Sequence, residues 1–206
     1  MLAFQPMRAL NCATGLLASL ACASGGEIHP PQTLTILFQF ERPYANRALV
    51  ETERELNALT KGVAVRLEWY DRGGPKARLS FPNILVLNFL GNCDPRSEST
   101  FSGPVAGWLA RMHVSEGVVL PFGEVNCDLV RALLDQGTEK RKPNDKVFGR
   151  ALARVLAHEL YHFMTNTTEH LERGLTKPSF SRDDLVLDGL KLDRPELDRL
   201  SKTLLQ

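Results

Sequence analysis

An almost unbroken apolar segment from Ile84 to Leu90, interrupted only by Asn88, constrains the fold more than any other part of the sequence. A short apolar run of this kind is typical of a β-strand covered on both faces, since a strand with one face in water alternates apolar and polar residues. The segment therefore predicts a sheet against which other elements of the chain pack.

Alternating patterns predict further strands. Leu34–Phe40 and Val63–Trp69 alternate apolar and polar side chains with a period of two, which is typical of half-buried strands. Between them, Pro43 begins a helix with one apolar face. Residues 110–122 indicate one or two more strands. Pro121 places them at a sheet edge or a bulge, because proline donates no hydrogen bond to a neighbouring strand.

Helical signals dominate the C-terminal half of the chain. A short helix is predicted over Asp128–Leu134, and Asn144 is a good N-cap for a strong helix over about Asp145–Met164. A capping box predicts a small helix over residues 181–192, and a last helix begins at Asp193.

The order of these elements, β-α-β-β-β-α followed by small helices, predicts a single α+β domain over residues 34–206. In this fold a twisted mixed sheet carries one long helix after its first strand, a second long helix over about 145–164 and small C-terminal helices. The length of 206 residues suits one globular domain with a short appendage.

The N-terminal segment indicates export. Arg8 is the only charged residue before Glu27. It precedes a run of small and apolar residues that ends in Ala21-Cys22-Ala23, the small side chains that a signal peptidase accepts. We therefore predict a signal peptide over residues 1–23 and a short linker over residues 24–33, with the mature protein exported to a periplasmic or extracellular compartment.

The cysteines bear on the same question. A lipoprotein anchor at Cys22 is the second option, disfavoured because Ser19 stands where such a signal has leucine. Cleavage after residue 23 leaves only Cys93 and Cys127, which in an oxidising compartment most simply form one disulfide bond. Without export, two unpaired buried thiols are the alternative.

The charge balance excludes some classes of partner. The chain has 25 Lys and Arg residues against 24 Asp and Glu residues, with no basic cluster, so the basic surface of a nucleic-acid-binding protein is missing. No apolar stretch reaches the roughly eighteen residues of a membrane-spanning helix. We expect a monomer that binds no nucleic acid and has no stable membrane span.

The sequence His158-Glu159-Leu160-Tyr161-His162 lies within the long predicted helix. Two histidines four residues apart lie on the same helical face, so both imidazoles can reach one metal ion. Glu159 is rotated from His158 by about 100° around the helix, which leaves its carboxylate beside the metal, where it can deprotonate a water molecule. Zinc is the expected metal, one ion per chain, because two neutral imidazoles with a third nitrogen or oxygen ligand suit its tetrahedral site.

A third ligand has to come from outside the helix. His170 follows His162 by eight residues, after the turn-rich link Thr165–Thr168, and is the first candidate. Carboxylates are the alternative, because zinc also binds oxygen ligands. The acidic residues considered for this role are Glu169, Glu172, Asp184 and Asp188.

These features resemble the zincin metallopeptidases, and the metzincin branch most closely. The motif HELYH, the preceding strand-helix-strand-strand-strand order and the later histidine carry the resemblance over about residues 34–175. In that family the helix ends at a glycine, and the third histidine follows the second by six positions. Here Thr165 and Thr168 occupy those two positions, and His170 comes two residues late. The family's methionine turn has no counterpart, since no methionine follows Met164.

The resemblance implies a peptidase that acts on a peptide or protein substrate. It implies that His158, His162 and His170 hold the zinc ion and that Glu159 is the general base. It also implies that an edge strand beside the metal binds the substrate by strand addition. By its order in the chain, the candidate for that strand is Met112–Leu120.

Three alternatives compete with this hypothesis. Peptide deformylases share the HExxH motif and use an upstream cysteine as a ligand, as Cys127 could be, but their Gly-Cys-Leu motif is missing and export is inconsistent with work on nascent chains. A metal-dependent ribonuclease needs a basic groove, which the charge balance does not support. The third is a catalytically inactive secreted zincin-like binding or scaffold domain. Glu159 argues against it, because a structural zinc site has no use for a carboxylate beside its ligands.

Overall fold

The computed structural model of the chain describes residues 31–97, 105–136 and 142–204. The predicted signal peptide over residues 1–23, the alternative anchor at Cys22 and most of the predicted linker over residues 24–33 lie outside the described residues. The first strand begins at Gln32, slightly before the predicted start of the domain.

Five strands of the described chain form one mixed sheet. They are β1 (Gln32–Phe40), β2 (Val65–Asp71), β3 (Ile84–Leu90), β4 (Ala110–Ser115) and β5 (Val118–Asn126). Their order across the sheet is β2-β1-β3-β5-β4. Neighbouring strands are parallel, except that β4 runs antiparallel to β5.

Five α-helices accompany the sheet in the described part of the chain. They are α1 (Asn46–Leu59), α2 (Cys127–Asp135), α3 (Asp145–Thr165), α4 (Arg182–Val186) and α5 (Arg194–Leu204). The predicted α+β fold is confirmed, with a mixed sheet, one long helix after the first strand and a second long helix before the small C-terminal ones. Among the described residues, no helix combines the length and the apolar composition that crossing a bilayer requires.

The main core lies between one face of the sheet and helices α1 and α3. In β3 the buried residues Leu85, Leu87 and Phe89 alternate with half-buried ones. The apolar run predicts cover on both faces, and the structure covers the second face only in part. Its other apolar residues, Ile84 and Val86 among them, lie on the opposite face of the sheet and stay partly exposed.

Strand β1 is more buried than its sequence pattern predicts. Residues 34–38 are all buried, although their alternation predicts a strand with one exposed face. β1 lies between β2 and β3, and Leu37 has Tyr70 and Val86 as its register neighbours. Large side chains on the adjacent strands thus shield the second face of β1, which a local sequence pattern does not reveal.

Strands β4 and β5 form a hairpin at one side of the sheet. β4 is the edge strand, whereas β5 lies between β3 and β4. Of the predicted edge segment Met112–Leu120, only the part up to Ser115 is therefore on the edge. Pro121 lies where the β4–β5 ladder is irregular, opposite the register shift between Met112 and Val114, which agrees with the predicted bulge.

Helix α3 is buried along most of its length. The side chain of Asn144 caps its N-terminus as predicted, accepting a hydrogen bond from the backbone N–H of Val147 at 2.9 Å. Nearly every side chain of Phe148–His162 is buried. α3 approaches α1 closely at Gly149, where a Cβ atom would lie 2.6 Å from the carbonyl oxygen of Ala48. Glycine at this position lets the two helix backbones touch.

The segment after α3 departs from the prediction in one respect. The predicted capping box forms between Ser181 and Asp184, but α4 ends at Val186 instead of continuing to Leu192. The chain then turns through Gly189, whose φ of 106° belongs to the left-handed region that ends helices.

A disulfide bond joins Cys93 to Cys127, as predicted for an exported chain. It connects the segment that follows β3 to the first residue of α2. Beside it, the buried guanidinium of Arg131 donates hydrogen bonds to the carbonyl oxygens of Asn92 and Asp94 at 2.7 and 3.0 Å. Covalent and polar contacts therefore hold this segment together.

We expect removal of the disulfide bond to destabilise the fold. The two cysteines are 34 residues apart, and the loop-entropy relation gives about 4 kcal/mol for a loop of this size. The double substitution Cys93→Ser with Cys127→Ser should lower the free energy of unfolding in urea by roughly this amount. A midpoint and slope equal to those of the wild type would contradict the prediction.

We expect Gly149→Ala to destabilise the protein although alanine is the better helix former. The added methyl group forces α1 and α3 apart, and overpacking of this kind costs about 1–3 kcal/mol. The measurement is the free energy of unfolding in urea. Lys146→Ala, an exposed substitution on the same helix, should change it by less than about 0.5 kcal/mol. Equal stability of the two variants would refute the close approach at Gly149.

Candidate metal centre

The last two turns of α3 carry His158 and His162 on one face. Both side chains are buried, and their Nε2 atoms lie 2.9 Å apart. The ring centroids are separated by 4.6 Å, with the planes close to perpendicular. The helix thus aims two imidazole nitrogens at the same point, as the spacing of four residues predicts.

The chain reverses after α3 and brings His170 to the same point. Asn166 adopts the left-handed conformation with φ 46°. The helix-ending turn therefore lies one residue after Thr165, which stands where the metzincin pattern has its glycine. The His170 ring centroid lies 5.1 Å from that of His158 and 4.8 Å from that of His162. One ligand atom from each of the three histidines lies within 4.8 Å of the other two. The later helix end accounts for one of the two residues by which His170 is delayed.

The hydrogen bonds of the two helical histidines show that the site fits a cation. Nδ1 of His158 lies 2.8 Å from the carbonyl oxygen of Leu175, and Nδ1 of His162 lies 2.7 Å from that of Thr167. Carbonyl oxygens only accept hydrogen bonds, so both Nδ1 atoms carry the proton and both Nε2 atoms present a lone pair. Two lone pairs converge, and a metal ion between them would relieve their repulsion.

The ionisation of these histidines supports the same conclusion. Burial lowers the pKa of His158 to about 4, although the hydrogen bond to Leu175 acts in the opposite direction. Burial also lowers the pKa of His162. Neutral imidazoles are the form that binds metals, so the lowered pKa values of His158 and His162 favour metal binding. Three histidine ligands with one open position form a donor set that suits zinc.

Glu159 is buried beside these histidines. Burial raises the pKa of its carboxyl group to about 7, and a hydrogen bond from the backbone of Met112 in β4 partly offsets this rise. A nearby cation would favour the ionised form. Glu159 does not belong to the group of converging ligand atoms, so its carboxylate is left to accept a proton.

A cleft of about 460 Å³ opens over the three histidines and Glu159. One wall is the edge strand β4 with the segment before it, and the other is the loop over residues 177–180. The ring of Phe180 meets that of His158 edge to face at 5.6 Å. Apolar side chains dominate the remaining lining, namely Val105, Trp108, Leu109, Leu133 and Val155.

The carboxylates considered as alternative ligands lie elsewhere. Within the described residues, the group that could hold a metal consists of the three histidines alone. Asp184 pairs with Lys177 at 2.5 Å, and Asp188 pairs with Arg150 at 3.0 Å. The other two candidates, Glu169 and Glu172, are exposed.

Several features of the site have no sequence signal. The carbonyl groups of Leu175 and Thr167 orient the two helical histidines, but every residue has a carbonyl group. Met112 contacts Glu159 through its backbone. The ring of Phe180, on the loop after His170, lies against that of His158. The metzincin pattern has a methionine after its third histidine, but no methionine follows Met164 in this sequence. Only the folded chain brings these groups together.

Comparison with known proteins shows the fold but no family. No protein-family model matches the chain, and no curated protein sequence matches it. Among solved structures, the crystal structure of archaemetzincin from Methanopyrus kandleri is similar, with a TM-score of 0.55 and 11% sequence identity. The similarity covers 87% of this chain and 99% of that protein. The two chains therefore share the α+β fold.

We expect His170→Ala to weaken zinc binding by more than about 100-fold, because even the loss of a residue that only supports a ligand costs 10- to 100-fold. The zinc dissociation constant is measured by competition with a chelator. His113→Ala is the matched control, since His113 is exposed on β4 and faces Glu124 at 3.8 Å. Unchanged affinity in His170→Ala, with loss in Glu169→Ala or Glu172→Ala, would assign the third ligand to a carboxylate.

Proposed function

We propose that the chain is an exported zinc-dependent metallopeptidase of the HExxH type. The convergence of three imidazoles beside a buried carboxylate, on the lining of one cleft, carries this proposal. The shared fold with a protein named archaemetzincin supports it. In this proposal one zinc ion per chain is held by His158, His162 and His170.

The metal ion and the carboxylate of Glu159 have separate roles in the proposed reaction. Zinc bound there would polarise the carbonyl group of the scissile peptide bond and make a neighbouring water molecule more acidic. Glu159 accepts a proton from the attacking water and then passes it to the leaving amine nitrogen. Its hydrogen bond to the backbone of Met112 holds the carboxyl group at the wall of the cleft.

The edge strand suits an extended peptide substrate. Within the described residues, β4 pairs with β5 alone, so its other edge can add a substrate strand by main-chain hydrogen bonds. Met112 lies on this strand and its backbone donates a hydrogen bond to Glu159, so a strand added to this edge would lie near that carboxylate. We therefore propose Ala110–Ser115, and not the whole predicted segment, as the substrate-binding edge.

Two observations support the export part of the proposal. The disulfide bond between Cys93 and Cys127 is of a kind that persists in oxidising compartments and is rare in the cytosol. The N-terminal sequence ending in Ala21-Cys22-Ala23 has the composition of a cleavable signal peptide. We propose that the mature protein begins at Ser24 and works as a monomer.

The substitution Glu159→Gln tests the catalytic assignment. The amide keeps the shape of the side chain but cannot take a proton, so kcat for peptide hydrolysis should fall by about 10²- to 10⁴-fold while zinc content is kept. Glu41→Gln is the matched control, because Glu41 is exposed after β1, outside the lining of the cleft, and its substitution should leave the rate unchanged. Full activity in Glu159→Gln would remove Glu159 as the base. A zinc-loaded wild type that cleaves no peptide would instead favour the inactive binding domain.

A further inference from the structure

The peptide group between Leu175 and Thr176 makes two hydrogen bonds in opposite directions. Its carbonyl oxygen accepts a hydrogen bond from Nδ1 of His158 at 2.8 Å. Its N–H group donates to Oε1 of Glu196 at 2.7 Å. Because both groups belong to one planar unit, a carboxylate, a peptide group and a metal-binding imidazole form one hydrogen-bonded chain.

The carboxylate at the end of this chain is fixed on both sides. Glu196 is fully buried, and its second oxygen accepts a hydrogen bond from the backbone N–H of Asp193 at 2.5 Å. Asp193 in turn accepts a hydrogen bond from the backbone N–H of Glu196 at 3.0 Å. These reciprocal bonds are a capping box at the start of α5. The bond from Thr176 is not needed for capping, since it comes from outside the helix.

The loop around Thr176 packs against the same carboxylate, that of Glu196. Gly174 has φ 80°, and a Cβ atom there would lie 2.7 Å from an oxygen of Glu196, so the backbone passes directly over the carboxylate. The N–H of Leu171, the residue after His170, donates to the carbonyl oxygen of Thr176 at 3.1 Å. The loop that follows His170 therefore returns to Thr176, whose N–H is hydrogen-bonded to Glu196.

We propose that Glu196 is a positioning residue of the metal centre. Through the Leu175–Thr176 peptide group it holds His158 as the Nδ1-protonated tautomer, with Nε2 directed at the metal. A negative charge at the end of a hydrogen-bonded chain polarises each member, which makes Nε2 a stronger donor to the metal, as carboxylates bonded directly to ligand histidines do. This inference rests on the metal site of the proposed function, but not on its peptidase activity.

The test is the zinc dissociation constant of the full chain, measured by chelator competition, together with the visible absorption spectrum of the cobalt-substituted protein. Glu196→Ala should weaken zinc binding by about 10- to 100-fold and change the intensity of the cobalt bands. Glu196→Gln keeps an oxygen acceptor for the N–H of Thr176 without the charge, so its affinity should lie between those of wild type and Glu196→Ala. It also serves as the test variant if the alanine variant does not fold.

Two variants separate positioning from helix stability. Asp193→Ala removes half of the capping box and keeps the backbone N–H that donates to Glu196. Leu200→Ala removes a buried apolar side chain from the same helix. Both should lower the free energy of unfolding, yet leave the zinc dissociation constant within about twofold, since neither removes a hydrogen bond between Glu196, Thr176 and His158. If either weakens zinc as much as Glu196→Ala, the inference is overturned.

The outcomes distinguish this inference from the proposed function. A wild type that binds no zinc contradicts both. Zinc affinity in Glu196→Ala equal to that of wild type overturns the role of Glu196 and leaves the three-histidine site standing. Weakened binding in Glu196→Ala, in a protein that hydrolyses no peptide, supports the role of Glu196 and counts against the peptidase.

Discussion

The candidate site depends on one interaction, the convergence of two imidazole lone pairs 2.9 Å apart. Two neutral histidines are held in this arrangement only because each Nδ1–H is occupied by a carbonyl oxygen, that of Leu175 for His158 and that of Thr167 for His162. Without those acceptors either ring could rotate or change its tautomer. The arrangement is unfavourable for neutral imidazoles alone and favourable around a cation. The buried hydrogen bonds to Leu175 and Thr167 offset the repulsion between the two lone pairs before a metal binds.

Three parts of the fold maintain this arrangement. Close contact at Gly149 holds the buried helix α3 against α1. At the other end of α3, the side chain of Asn166 accepts a hydrogen bond from the backbone N–H of Val119 at 2.8 Å, which ties the helix end to the β4–β5 hairpin and so to the wall of the cleft. The cap of α5 holds the Leu175–Thr176 turn. Helix α1, the β4–β5 hairpin and helix α5 therefore all help to fix the position of the two histidines.

Local signals in the sequence predicted much of this fold. The cap at Asn144, the helix that follows it and the spacing of His158 and His162 depend on neighbouring residues, and the structure agrees with each. The shielding of the second face of β1 and the early end of α4 depend on residues distant in sequence, which a local pattern does not contain. His170 illustrates both what a local pattern predicts and what it does not. The sequence indicated the residue, but only the left-handed turn at Asn166 explains how it reaches the other two.

The role inferred for Glu196 lies beyond sequence reasoning for the same reason. Its sequence position indicates only the first turn of the last predicted helix, where acidic residues are common. Its burial, its bond to Thr176 and the close approach of Gly174 appear only when α5 packs beside the candidate metal centre. A residue that the sequence presents as an ordinary helix cap is thus hydrogen-bonded to the peptide group that binds Nδ1 of His158.

X-ray absorption at the zinc edge tests the central claim most directly, using the wild-type chain loaded with one equivalent of zinc. A three-histidine site should give three imidazole ligands at about 2.0–2.1 Å and one further oxygen ligand at a similar distance. A spectrum with fewer than three imidazoles, or with a sulfur ligand at about 2.3 Å, would contradict it, as would a chain that retains no zinc.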